Sequence, residues 1–199
     1  MNAIYTIGHS QHDMEHFLQM LRLNGIDYVI DVRSTPYSKY AQNYDRENIK
    51  NYLAKHNIQY KYMGKFFGAR QEDKRLYTED GYLDFAKVTE SGFFRDAVAN
   101  VMKGMETNRI ALMCLEKKPI DCHRAILVAN AFALNGCEVK HILEDCSVQT
   151  HEELNEELLN LYFPDRNQIS LFDTRTDEEK LLEAYQLRNK AIGYSVVER

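Results

Sequence analysis

A chain of 199 residues, 44% hydrophobic and 28% charged, is long enough for one domain with a sizeable core, or one domain and an appendage. A formal charge of −5 excludes a broad non-specific grip on nucleic acid, which needs clustered Lys and Arg, but leaves room for a local basic groove. Four cysteines are too few for a disulfide framework, no apolar run approaches the roughly 18 residues of a membrane span, and no basic-then-apolar leader opens the chain. The expectation is a cytoplasmic protein with reduced thiols and no membrane partner.

Ala3 to Ile7 is β-branched and aromatic and predicts a first buried strand, followed by Gly8. Asp13 is placed to cap a helix whose apolar face is Met14, Phe17, Leu18 and Leu21 and which stops at Asn24-Gly25. Tyr28 to Ile30 predicts a second strand, ending at Asp31. A polar, Tyr-rich loop runs from Ser34 to Asp45, then a helix to about His56. Ile58 to Tyr62 alternates like a third strand. Residues 64 to 81, with Gly64, Gly68 and Gly81 among charges and aromatics, read as one long loop. Phe93 to Lys103 reads as a helix and Ile110 to Cys114 as the fourth strand. Cys122 to Asn135 reads as one helix with Asp121 as its N-cap, and Cys137 to Leu143 as the fifth strand.

Strands alternating with helices predict an α/β fold: a mainly parallel, doubly wound sheet of about five strands with helices on both faces. Beyond Leu143 the pattern changes. His151 to Phe163 is one amphipathic helix, residues 164 to 176 are polar, and Glu178 to Lys190 is a last helix. The division expected is one domain over 1–163 and an appendage over 164–199, docked or trailing. Oligomeric state is left open.

In such sheets the ligand crevice lies beyond the carboxyl ends of the strands. That rule gathers His9-Ser10, Asp31-Val32-Arg33 and Cys114-Leu115-Glu116 at one edge, next to Cys122-His123-Arg124. Cys122 near a helix start would favour a thiolate, helped by His123 and Arg124; both thiols could equally be small buried hydrophobes. Arg124 suits an anion clamp, or a salt bridge to Asp31 or Glu116. Glu116 and His9 are candidate acid–base groups. Ser10, Arg33, Arg124 and Tyr37 are candidate substrate-binding residues, and the tyrosines of the 34–45 loop (Tyr37, Tyr40, Tyr44) could stack bases. No cofactor is expected. Cys114, Cys122, His123 and His9 are zinc-type ligands by residue type, without a C-x2-C pair.

The stretches YTIGHS (5–10), DVRSTPYSKY (31–40), GYLDFAKV (81–88) and ALMCLEKKPIDCHRAILVANAF (111–132) together resemble the domain-of-unknown-function 488 family, over roughly residues 1 to 146. That resemblance implies no activity. YVIDVRSTPYSKY and the segment from Arg109 to Ile142 are also similar to the rhodanese strand-and-loop elements, which would put the nucleophile position on Cys114. The chain departs from that pattern: the loop after Cys114 is longer and carries Pro119 where rhodaneses have glycines. NQISLFD, from Asn167 to Asp173, resembles the bacterial sliding-clamp-binding pentapeptide, with Gln168, Ile169, Ser170, Leu171 and Phe172 on its positions. The resulting expectation is an enzyme of nucleic-acid maintenance, recruited to DNA through that peptide. The rivals are a non-catalytic module that binds an anion or nucleic acid, and a rhodanese-like sulfur or thiol-redox enzyme.

Overall fold

A computed structural model describes residues 3–166 and 174–195. Its strands are β1 (Ile4–Gly8), β2 (Tyr28–Asp31), β3 (Gln59–Tyr62), β4 (Ile110–Cys114), β5 (Val139–Ile142) and β6 (Val148–Thr150). Its helices are α1 (Met14–Leu23), α2 (Arg46–Lys55), α3 (Gly64–Phe67), α4 (Phe85–Glu90), α5 (Gly92–Gly104), α6 (Asn130–Leu134), α7 (His151–Tyr162) and α8 (Asp177–Ile192). The expected mainly parallel α/β sheet is present, with six strands in the order β3-β2-β4-β1-β5-β6. All pairings are parallel except β5 with β6. The strand that periodicity missed, β6, is three residues long and packs only on an edge.

Side-chain alternation divides the core. Ile4, Ile30, Ile110, Leu112, Cys114 and Val139 join one apolar cluster with α4, α5, α7 and the 124–134 helix. Tyr5, Ile7, Val29, Ala111, Met113 and Ile142 join the other with α1 and α2. Both faces of β1 and β4 are therefore covered and every residue of the two strands is buried; β4 reads as an unbroken apolar run, and β1 does so except at Thr6. Asp13 caps α1 through the amides of Glu15 and His16, and Gly25 (φ +63°) ends it, as the sequence predicts.

Three expectations change. The 64–81 segment is not a plain loop: it holds α3 and a 3-10 turn at Lys74–Leu76. Asp84 caps the unexpected α4 through the amides of Ala86 and Lys87. The predicted Cys122–Asn135 helix is broken into parts. Pro119 opens a 3-10 turn over Pro119–Asp121, Cys122 is extended (φ −132°, ψ 136°), and Arg124–Ala129 is a π-helix that runs into α6. Asp121 is no N-cap for that helix, because it faces Arg188 of α8 in an ion pair.

The C-terminal helix docks on the body. Asn189 accepts from the Phe85 amide (2.9 Å) and donates to the Leu83 carbonyl (2.8 Å). A buried polar chain ties four elements together. Thr6 Oγ1 meets His141 Nδ1 (2.8 Å), His141 Nε2 meets His151 Nδ1 (3.1 Å), and the Tyr185 hydroxyl lies 3.1 Å from His151 Nε2 and donates to Asn155 (2.7 Å). No helix among the described residues is long and apolar enough to cross a membrane.

Candidate functional site

Strand order fixes where the crevice opens. β4 lies between β1 and β2, and the helices after β1 and β2 pack on one face while the chain leaving β4 passes to the other. The loops at the carboxyl end of β4 therefore part, which is the ligand-crevice geometry of open α/β sheets. A pocket of about 450 Å³ lies there, lined by residues from all three strand ends.

The loops are stitched by backbone. The His9 amide donates to the Cys114 carbonyl (2.9 Å) and the Ser10 amide to that of Leu115 (2.8 Å), and Ser10 itself adopts φ 45°. Ser10 thus serves as backbone support. Gly8 is required where it stands: a Cβ there would lie 2.0 Å from the Glu116 carbonyl oxygen. Arg124, fully buried, donates to the carbonyls of Glu116 (2.6 Å) and Lys117 (3.1 Å). It therefore pins the loop, and is neither an anion clamp nor a salt bridge to Asp31 or Glu116. The π-helix aims this side chain inward from the turn that also carries His123.

On the β2 side, Asp31 takes a bidentate grip from Arg33, with Nε to Oδ1 at 2.9 Å and Nη2 to Oδ2 at 2.6 Å, and a third bond from the Tyr60 hydroxyl (2.7 Å). Arg33 also reaches His9 Nε2 (3.0 Å) and the Tyr44 carbonyl (2.8 Å). His9 Nδ1 meets the Ser10 carbonyl at 2.8 Å, so that nitrogen carries the proton and Nε2 accepts. Burial, then the Arg33 charge, lowers the His9 pKa to about 3. With both nitrogens engaged, His9 borders the pocket as a neutral ring and is not available as the zinc-type ligand that its residue type allows. Tyr44 is stacked beneath it with centroids 4.1 Å apart, so it is core and not a platform for bases. Tyr37 is half exposed on the pocket rim, its hydroxyl donating to Glu47 (3.0 Å).

The reactive groups converge on the β4 side. Cys114 Sγ lies 3.8 Å and Cys122 Sγ 4.0 Å from His123 Nδ1, and Cys122 Sγ lies 2.8 Å from Glu116 Oε2. His123 Nε2 bonds the Val32 carbonyl at 3.1 Å, which fixes the ring and turns Nδ1 to the sulfurs. Among the described residues, Cys114, Glu116, Cys122 and His123 each offer one metal-capable atom, and all four atoms lie within 4.8 Å of one another. Of the zinc-type residues named from the sequence, His9 is not in this cluster, and Glu116 is.

Their electrostatics are shared. Burial, then the bond to Cys122, pushes the Cys114 thiol well up. Burial opposes ionisation of Cys122 too, but the bond to Cys114, the Arg124 charge and His123 outweigh it and hold that thiol well down. Burial and the Cys122 charge push Glu116 up. Burial would lower His123, yet its bond to Cys122 and that sulfur's charge raise it. The surroundings thus favour negative charge on Cys122 and positive charge on His123. The amide aimed at sulfur is that of Arg124, and it meets Cys122 at 3.4 Å, not the rhodanese-like position Cys114.

Sequence reasoning missed Arg70, Ile192 and Tyr194, which complete the pocket. The Arg70 guanidinium rests on the Tyr194 ring, 4.4 Å from its centroid. A lone Arg in a glycine-bearing segment and a Tyr beyond the last helix carry no local signal of meeting. Gln168 to Phe172 lie outside the described residues.

A family model described as "Domain of unknown function DUF488" matches residues 13–131, more than half of the chain. No curated protein matches, and no solved structure does.

Proposed function

The chain belongs to the DUF488 family, and since that description carries no reaction, we propose from the site itself an enzyme that acts on a nucleotide or on one base of a nucleic acid. Chemistry would take place at Cys114, Glu116, Cys122 and His123, with acid–base or thiol steps. The observation that carries this reading is the convergence of four reactive side chains, three of which, Cys114, Glu116 and His123, line one pocket of about 450 Å³. That volume falls in the range of small-molecule sites, roughly 300–1,000 Å³. Its rim offers the rings of Tyr37 and Tyr194 for a planar base, and Arg70 for a phosphate. Arg33 supports the site from beneath, since its charge is already matched by Asp31.

Calorimetry with nucleoside monophosphates and short single-stranded DNA tests the substrate class. Arg70→Ala should weaken binding at least about tenfold. In a turnover screen on the same ligands and on lesion-bearing DNA, Glu116→Gln should lower the rate about a hundredfold or more. Failure of every nucleotide to bind or turn over sinks the reading. Recruitment by a bacterial sliding clamp through Gln168–Phe172 belongs to the same proposal. Replacing Leu171 and Phe172 together with Ala should weaken clamp binding at least about tenfold with the melting temperature unchanged. A loss of stability with no clamp affinity in the parent chain would end the clamp reading alone.

A further inference from the structure

We propose that Cys114, Cys122 and His123 bind one thiophilic divalent metal ion of the zinc(II) type, with the Glu116 carboxylate flanking its fourth position. In a tetrahedral site with metal–sulfur bonds near 2.3 Å and metal–nitrogen bonds near 2.0–2.1 Å, a sulfur and a nitrogen ligand stand roughly 3.6 Å apart. The two sulfur-to-His123 distances, 3.8 and 4.0 Å, are close to that edge. The 2.8 Å between Cys122 and Glu116 is well short of the corresponding sulfur–oxygen edge of roughly 3.5 Å. Three residues are therefore arranged as ligands, and the carboxylate is not.

The surroundings fit a metal centre. The bond from His123 Nε2 to the Val32 carbonyl is the outer-shell contact that orients a metal-binding imidazole, leaving Nδ1 as the donor atom. The Arg124 amide on Cys122 Sγ stabilises thiolate charge in the same way. Two thiolates and a carboxylate in a buried site are three formal negative charges; a dication and the Arg124 guanidinium cancel them. Thiol and imidazole ligands bind a metal in their deprotonated forms, so protons would leave the cluster as the ion enters. Cys114, Glu116 and His123 reach the pocket, so the open coordination position faces the place where a substrate would lie. A centre with three protein ligands and one open position is the arrangement of catalytic, not structural, zinc.

This deepens the enzyme reading, but its test needs no substrate, so either can fail without the other. The full chain, treated with chelator under reducing conditions, is titrated with cobalt(II) and then zinc(II). A thiolate-to-cobalt charge-transfer band and tetrahedral visible bands should grow to one equivalent and be bleached by zinc, with a zinc dissociation constant below about 0.1 μM. Cys122→Ser and Cys114→Ser should each lose most of the charge-transfer intensity and weaken zinc binding at least about a hundredfold. Glu116→Gln should keep the band, and Cys137→Ser should match the parent. Circular dichroism separates unfolded variants from folded ones. As a measurement independent of folding, zinc added to the parent chain should slow alkylation of Cys114 and Cys122 at least about tenfold and leave Cys146 unchanged. An octahedral cobalt spectrum without charge transfer, or thiol labelling indifferent to zinc, overturns the proposal.

Discussion

Two arginines in this chain make the same bidentate bond to a carboxylate two residues earlier, and burial separates their worth. Arg33 and Asp31 have side chains 7% and 0% exposed; Arg75 and Asp73 have 89% and 39%. In water the Coulomb gain is offset by solvation and side-chain entropy, so Arg75→Ala should leave the urea midpoint unchanged. Asp31→Asn strands a buried guanidinium and should destabilise the chain by about 3–5 kcal/mol. Equal shifts in urea unfolding would contradict this account. The DVR triplet announced that this pair mattered, but not how: nothing local says that Asp31 serves Arg33 while Arg33 holds His9. The same limit explains Arg124 and Glu116. Their partners lie within the same segment, six to eight residues away, but which loop residue turns to a carbonyl and which to a sulfur depends on the path the segment takes through its 3-10 turn and π-helix, which spacing along the chain does not reveal.

At the scale of elements, those with strong local signals were legible. The caps at Asp13 and the apolar stripe of α1 stand in the sequence, and so do the strand ends that meet at the crevice. The π-helix at Arg124–Ala129 was not, because a shift of hydrogen-bond register leaves the apolar pattern of a helix almost unchanged. Nor was the docking of α8, whose last turn carries Ile192 and, just beyond it, Tyr194 to the pocket wall. Asn189 fastens that turn to the 83–85 segment, as Arg188 does to Ile120 and Asp121. Asn189→Ala leaves the Phe85 amide and the Leu83 carbonyl without their partners, a cost of about 2–4 kcal/mol. The loss should be local: hydrogen exchange of α8 amides should accelerate at least about tenfold, with β1 and β4 amides unchanged. Uniform acceleration would mean that α8 and the sheet open as one unit.

For the molecule as a whole, buried histidines make acid the natural denaturant. His9, His141 and His151 are all held neutral: burial and the Arg33 charge lower His9 to about 3, burial lowers His151 to about 4, and burial followed by the His151 charge lowers His141 well below its ordinary value. Below about pH 6.5 the unfolded chain takes up protons that the folded chain refuses, so stability is full above that pH and falls as pH drops towards the folded pKa values. Each such group removes about 1.4 kcal/mol between pH 7.5 and 5.5. Urea unfolding of His151→Gln should show an acid loss smaller than that of the parent by this amount; equal losses would mean that His151 is not held neutral. The strand order has a different consequence, for the time course of folding. β1 precedes the other described strands along the chain, yet it stands in the middle of the sheet, with Ile4 beside Val139 and Tyr5 beside Ala111. Its neighbours emerge from the ribosome only after most of the chain has been made. Until then an apolar strand, both of whose faces end up buried, has no partner, and β2 with β3 can at most pair alone. Contacts this distant in sequence close slowly and leave a nascent chain open to aggregation. Because Cys114 ends β4 and Gly8 ends β1, the reactive cluster is assembled in the same late event, so a stalled or truncated product would lack the chemistry along with the fold.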